Sequence, residues 1–413
     1  MSSPESRTLL VATTNPDKVA ELGPILSPAL DALGLTLRSL SPDAPPVTED
    51  RPTFSGNAVL KALAAAGWSG EVALGEDSGL EVDALDGAPG VLSARYSGGG
   101  PAENNKLLLE RLAGVPQGRR GARFRTAVAL KVPDGPLFLA EGMTEGEITD
   151  QPRGSGGFGY DPVFLSRDLG RTFAEVSRDE KARVSHRSRA LRAVRGYLFE
   201  AFAAQDFETP QGPLPGHGTC LQALFAAKCP PGLVRHQLAA GRLGRELALS
   251  LAEAGVPADA RLAAAAGLLH DIGRSLPAAG RLGDADGDGP PRGVVEHAWL
   301  SAQWMAGQGF DPRLARAVLI HGLGSFLVAE FKPSTWEERI LMLVDKLVEE
   351  AYVGLAARLA GLRRRYPASR RLIAACRRPL KDLEAQLASA CRVTPAEMNR
   401  RLAGALEVVS LTL

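Results

Sequence analysis

Residues 265–273 read AAGLLHDIG, an apolar run that ends in a histidine, an aspartate and a glycine. The run belongs to a long Ala/Leu-rich stretch with helical spacing, and from Leu233 onward such stretches dominate while strand signals nearly vanish. Asp259 before RLAAAAGLL, and Asp311-Pro312 before RLARAVLI, supply a capping carboxylate and an N1 proline, so both mark helix starts. The second half of the chain is therefore expected to be all-α, with a polar pair displayed at the end of one helix.

That pair has company. The 413 residues contain six histidines, and four of them form one ordered series with two aspartates: His236, His270-Asp271, His297, His321 and Asp345. Successive gaps are 34, 26, 24 and 24 residues, which is one ligand per helix converging inside a bundle. Imidazole with carboxylate suits first-row divalent metals, and six such ligands suffice for two ions. Two ions a few Å apart clamp a phosphoryl group and supply a nucleophile at neutral pH, so the series points to phosphate ester or anhydride hydrolysis. His236 or His321 alone would read as a satisfied core histidine. The series as a whole does not.

A chain of this length carries two or three domains. Apolar residues make up 45% and charged residues 23%, a globular composition, and a net charge of +1 gives no global field for nucleic acid or membranes. The four cysteines form no CxxC pair and read as free thiols of a reducing compartment. Neither a charged-then-apolar leader nor a long apolar run is visible, so a cytoplasmic protein is expected.

Residues 7–12 (RTLLVA) read as a buried strand, followed by a helix from about Lys18, a strand at LTLRSL and an Ala-rich helix over 58–66. Strands follow at EVALGEDSGLEVDAL, FRTAVALKV and PLFLAEGMTEGEI, and a basic helix spans 188–202. This alternation predicts an α/β unit with mixed strand directions over 1–202. Residues 203–232 are Pro/Gly-rich with little charge (ETPQGPLPGHGTC, KCPPG), as in a linker. The all-α unit then occupies 233–352, and a helical, Arg-rich extension 353–413.

Four clusters in the first half carry chemistry. TTNPDK (13–18), directly after a strand, offers free N–H groups at a helix start plus a lysine, an anion site. Phe54–Ala58 with Lys61 follows an acidic pair, Glu49-Asp50. Glu76-Asp77-Ser78-Gly79 sets hard oxygens at a strand end, suited to Mg²⁺. Gly156–Asp161, with Lys181 and Ser185-His186-Arg187, combines an aromatic face, a carboxylate and cations that could hold a base and a polyphosphate. Each alone has a plain reading as turn chemistry. Gly154–Gly159 even matches GxGxxG, but a strand-like YDPVF follows instead of a helix, so the dinucleotide reading fails.

Together the stretches ATTNPDKVAEL, TFSGNAVLKA, EDSGLEVDALDGAPGVLSARYSG, GSGGFGYDPVF and EVSRDEKARVSHR closely resemble the ITPase/Ham1 family of noncanonical purine nucleoside triphosphate diphosphatases. The resemblance implies hydrolysis of ITP, dITP and XTP to the monophosphate and pyrophosphate, with Mg²⁺, in a homodimer formed through this domain. It implies that Asp77 is the catalytic carboxylate and metal ligand, with Glu49 a second acidic ligand. Thr13, Asn15, Lys18 and Lys61 would contact the triphosphate. Ser78, Phe158, Gly159, Tyr160, Asp161, Lys181, His186 and Arg187 would form the rest of the substrate site. Donors aimed at a 6-keto oxygen would meet a donor when adenine enters, and so reject it. Thr14, Glu76 and Gly56 depart from the family's usual Gly, Asp and Glu.

The second half, through VRH, AAGLLHDIG, EHAWLSA, LIHGLG and LVDKLVE, resembles the HD-domain metal-dependent phosphohydrolases. His297 and His321 add the pair expected of two-metal members, and the likeness is greatest to those that cleave diadenosine tetraphosphate and bind iron. The resemblance implies two ions, Mn²⁺ or Fe, at the six ligands, and a nucleotide substrate. Arg274 and Lys346 could contact phosphate, although surface helix charge is the plain reading. A regulatory module that senses nucleotide or metal is the alternative for this half. GDADGDG (283–289) begins like a calcium loop but has Val295 where the bidentate Glu belongs, so it reads as a mobile loop or lid. Twelve Arg and Lys against four Asp and Glu over 356–413 read as a solvated face, with attraction of anionic substrates as a second use.

Overall fold

The computed structural model describes residues 7–13, 16–202, 209–276, 290–291, 293–407 and 409–411. They fall into two compact units, one of residues up to 26, 34–195 and from 407 on, the other of 27–33 and 196–406.

The first unit is built on strands β1 (Arg7–Val11), β2 (Leu35–Ser39), β3 (Ala73–Val82), β4 (Gly121–Lys131), β5 (Leu137–Ile148), β6 (Phe164–Ser166) and β7 (Val409–Leu411). Their order is β2-β1-β3-β4-β5-β6, with β7 paired to β5. β1 runs parallel to β2 and β3, and the remaining pairs are antiparallel. This is the expected mixed sheet with flanking helices. Helices α1 (Pro16–Leu33), α2 (Phe54–Ser69), α3 (Pro101–Arg111), α4 (Arg178–Val184) and α5 (His186–Arg195) accompany it. The Ala-rich helix starts four residues earlier than its composition suggests, because the Thr53 side chain accepts the Gly56 N–H and caps it. Ala58 and Ala62 of α2 pack on Ala127 and Ala129 of β4, small against small, so the helix lies close to the sheet. Phe124, Phe164 and Phe173 fill a second core beside Leu80 and Val82.

The basic helix expected over 188–202 is two helices, α5 and α6 (Leu198–Phe202), interrupted at Gly196-Tyr197. Glycine's conformational freedom weakens a helix there. Within the stretch read as a linker, His217–Ala226 form a helix, α7. The end of the stretch expected to be helical is strand β7: VVSLTL has the β-branched, alternating character of a strand, which the Arg-rich residues before it obscured.

The second unit is helical, as expected. It contains α8 (Pro231–Glu253), α9 (Ala260–Leu269), α10 (Glu296–Gly307), α11 (Pro312–Leu319), α12 (Trp336–Val344), α13 (Leu355–Arg365), α14 (Arg370–Ala390) and α15 (Pro395–Leu406). Asp259 caps α9 through the N–H groups of Arg261 and Leu262, and Asp311 caps α11 ahead of Pro312. Leu243, Leu247, Leu269, Val318, Leu341 and Val344 are inaccessible and form its core. Among the described residues no helix is long and apolar enough to cross a membrane.

Two candidate hydrolytic sites

In the first unit, β3 and α2 bring the acidic cluster and its cation together. Asp77 sits on β3, nearly buried, and its Oδ2 accepts from Asn57 Nδ2 at 2.9 Å. Lys61 Nζ lies 3.5 Å from Asp77 Oδ1, 2.8 Å from Glu49 Oε2 and 3.1 Å from the Glu76 carbonyl oxygen. Burial raises the pKa of Asp77, and Lys61 and Asn57 pull part of that back. Lys61 thus holds a strand carboxylate and a loop carboxylate at one point. That donor set, two hard carboxylates bridged by one lysine, suits Mg²⁺ shared with substrate phosphates. The cavity, about 430 Å³, is lined by Thr13, Glu49, Lys61, Glu76, Leu40 and Trp68. Asn15 lies outside the described residues, as does the side chain of Lys18 on α1.

The second half of the substrate set gathers around Phe158 and Arg187. Arg187 donates through Nη2 to Ser78 Oγ at 3.0 Å, through Nε to Glu76 Oε1 at 3.1 Å and through Nη1 to Glu21 Oε2 at 2.7 Å. Its guanidinium stands 5.7 Å from the centre of the Phe158 ring, and Lys181 Nζ stands 4.5 Å from the same ring. Lys181 also pairs with buried Asp161 at 2.5 Å, and Asp161 accepts the Phe158 N–H at 2.9 Å. Phe158 itself is 53% exposed, an unusual state for a ring and one that suits stacking. The Gly159 carbonyl accepts from Asn105 Nδ2, and the Tyr160 hydroxyl donates to the Ser93 carbonyl, which fixes this loop. His186 stacks on Phe124 at 4.7 Å with its Nδ1 buried and unpartnered. Burial, aided by Arg187 and Lys181, pushes its pKa well below the ordinary value.

Asn57 falls within the Phe54–Ala58 cluster noted in the sequence but was assigned no role there, because an asparagine inside a helix carries no chemical signal of its own. Its position four residues after Thr53, and four before Lys61, was the available clue.

In the second unit all six predicted ligands meet. His236 lies on α8, His270-Asp271 end α9, His297 opens α10, His321 follows α11 and Asp345 ends α12. His236 Nε2 is 3.2 Å from His270 Nε2 and 3.2 Å from Asp345 Oδ1. Asp271 Oδ1 is 3.0 Å from His297 Nε2 and 3.6 Å from His321 Nε2. Three overlapping triads result, namely His236-His270-Asp271, His270-His321-Asp345 and Asp271-His297-His321, each with ligand atoms within 4.8 Å of one another.

Two glycines explain the convergence. A Cβ on Gly267 would sit 2.5 Å from the Gly241 nitrogen, so α8 and α9 touch at backbone distance just before His270. A Cβ on Gly273 would sit 2.3 Å from the His297 carbonyl oxygen, so α10 presses against the turn after Asp271. The outer hydrogen bonds complete the arrangement. Nδ1 of His236, His270 and His321 faces the carbonyls of Glu349, Gly267 and Val318 at 2.9, 2.8 and 2.6 Å. Carbonyls only accept, so each Nδ1 carries the proton and each Nε2 lone pair points inward. Asp271 Oδ1 is buried without a hydrogen-bond donor. Lone pairs converging on an orphaned carboxylate oxygen are what a pair of divalent cations fits. Burial lowers the His321 pKa to about 4, so that ligand is neutral at pH 7.

Lys346 is buried and not a surface helix charge, and Arg274, although exposed, is paired at the ligand cluster. Arg274 Nε is 2.6 Å from Asp271 Oδ2, and buried Lys346 pairs with Asp345 and donates to the His321 carbonyl at 3.3 Å. Both line a cavity of about 600 Å³ over the ligand cluster. The loop over 283–289 lies outside the described residues.

The chain thus joins an α/β unit with an acidic, lysine-bridged pocket to an all-α unit with a cluster of four histidines and two aspartates. Residues 9–197 match the Ham1 family and residues 233–349 match the HD domain. The chain belongs to the Ham1 family and carries an HD domain after it. A dITP/XTP pyrophosphatase of Exiguobacterium sp. is 50% identical over 188 residues, 45% of this chain and 93% of that protein. One from Desulforamulus reducens is 46% identical over 202 residues, 48% and 98% respectively. A HAM1 protein structure from Coxiella burnetii is 36% identical, covering 47% of this chain and 100% of that one, with a TM-score of 0.43.

Proposed function

We propose that the chain is a bifunctional nucleotide-housekeeping hydrolase. Its first unit splits noncanonical purine triphosphates (dITP, ITP, XTP) into monophosphate and pyrophosphate, and its second cleaves a phosphate ester or anhydride of a nucleotide. The observation that carries the first reading is the buried Asp77, aimed by Asn57 and bridged to Glu49 by Lys61. The names of its relatives agree with it. Asp77 acts as the base toward the attacking water, and its raised pKa brings it nearer neutral, where a general base is most effective. Mg²⁺ held by Asp77 and Glu49 would neutralise charge on the phosphate oxygens. Thr13, Asn15, Lys18 and Lys61 take the triphosphate. Phe158 stacks on the base, and Lys181, Arg187, Ser78 and His186 surround it, with Asp161 and Tyr160 holding the loop.

The second reading rests on the six converging ligands, with the tautomers of His236, His270 and His321 fixed. His236, His270, Asp271, His297, His321 and Asp345 would hold two ions, Mn²⁺ or Fe, which supply phosphoryl charge neutralisation and acidify water. A module that only senses nucleotide has no need of all six, which favours turnover. Dimerisation through the first unit and a cytoplasmic location belong to the same proposal.

The test uses the full chain. With Mg²⁺, ITP should give inosine monophosphate and pyrophosphate, at a rate well above that with ATP. With Mn²⁺, a panel of mono-, di- and dinucleoside polyphosphates should yield a product that His270→Ala no longer forms. Inactivity of the second site across that panel would favour the sensing role.

A further inference from the structure

The HD match ends at residue 349, yet the cavity over the ligand cluster does not. Its far wall comes from the extension: Arg358, Leu362 and Arg365 of α13, Tyr366 at the turn, and Leu372 and Ile373 of α14. The Arg-rich tail, whose composition reads as a solvated face, turns these residues toward the metal ligands. Arg358 is nearly buried, donates to Glu349 at 3.2 Å and lies 3.8 Å from Asp345, while its Nε is buried and unpartnered. Arg365 reaches Glu349 only at 3.5 Å and keeps 55% of its side chain exposed. Tyr366 is 43% exposed beside Leu362 and Leu372, which also line the cavity.

Charge defines what enters. Asp271, Asp345, Glu349 and Glu350 line the cavity together with Arg274, Lys346, Arg358 and Arg365, and the two sets cancel. Two divalent ions would then leave about four positive charges, more than a single phosphate offsets. The wall from α13 and α14 carries arginines beside leucines, an isoleucine and an aromatic ring. A polyphosphate with a flat group attached matches both the arginines and the ring.

We propose that residues 355–373 are the recognition wall of this site, with Arg365 holding a phosphate that the metals do not reach and Tyr366 packing on the nucleobase. The substrate class is a nucleotide with at least two linked phosphates. This rests on the metal-centre reading above.

Binding, not turnover, tests it. Titration calorimetry on the full chain with Mn²⁺ would use two probes, α,β-methylene-ADP and methylenediphosphonate, the second lacking a base. The component lost in His270→Ala belongs to this cavity. Arg365→Ala should weaken that component about tenfold for both probes. Tyr366→Ala should weaken it about tenfold for the nucleotide alone. Both side chains are substantially exposed, so the fold should survive either change. Unchanged binding in both variants, with His270→Ala still abolishing it, would overturn the recognition wall and leave the metal centre standing. The absence of any Mn²⁺-dependent component sensitive to His270→Ala would overturn both.

Discussion

Arg187 and Glu76 meet at 3.1 Å although 111 residues separate them, each with its side chain nearly inaccessible. The contact ties α5 to β3, and the same guanidinium reaches Ser78, so the cluster around Arg187 and Phe158 is fixed to the carboxylate strand. Removing one partner of a buried pair leaves an uncompensated charge, which costs about 3–5 kcal/mol. Arg187→Ala should lower the melting temperature of the chain by several degrees as well as weaken ITP binding. Arg187→Lys should rescue little, because an ammonium lacks the planar fork that serves three acceptors. A melting curve identical to that of the wild type would refute the structural role.

Asn57 aims Asp77 by donating to its Oδ2 at 2.9 Å. Truncation to alanine frees the carboxylate to rotate, and misplacement on that scale costs up to about 10²-fold in rate. Asn57→Ala should therefore lower kcat on ITP by about 10- to 100-fold with little change in KM. A change in KM alone would assign Asn57 to binding instead.

Gly273 lets α10 approach the turn after Asp271. An alanine there would place its Cβ 2.3 Å from the His297 carbonyl oxygen, so the helix must retreat and carry His297 off Asp271. Gly273→Ala, reconstituted with Mn²⁺ and measured by elemental analysis, should lose at least one ion per chain from the second unit. Retention of both would show that the close approach does not matter for metal binding.

His186 gives the stability a pH dependence of defined sign. Its folded pKa lies well below the ordinary value because burial excludes charge. Below about pH 6.5 the unfolded chain binds a proton that the folded chain refuses, so stability is lost as pH falls and regained as it rises. His186→Phe keeps the stack on Phe124 and removes the titration. Thermal melts from pH 7 to 5 should fall less steeply in this variant than in the wild type. Equal slopes would contradict the assignment.

The sequence made the chemistry of each half legible because metal and phosphate sites need rare residue types at set positions. The histidine series converges as its spacing implied, one ligand per helix. Less legible was whatever depends on distance across the fold. Arg358 and Arg365 look like any solvated arginine on a basic helix until α13 is seen lining the cavity over the His/Asp cluster. Lys346 read as a surface charge for the same reason, since charge on a helix has no sign of which way it faces. Strand β7 was lost because three residues at the end of a helical stretch form a strand only by pairing with β5. Asn57 carried no signal because its role is relational.

The central claim is that one chain holds two separate hydrolytic centres. Products of ITP hydrolysis with Mg²⁺, compared between Asp77→Asn and His270→Ala chains, test it most directly. The account predicts that Asp77→Asn abolishes pyrophosphate release, whereas His270→Ala leaves it at the wild-type rate. Pyrophosphate release that survives Asp77→Asn, or that disappears with His270→Ala, would contradict it.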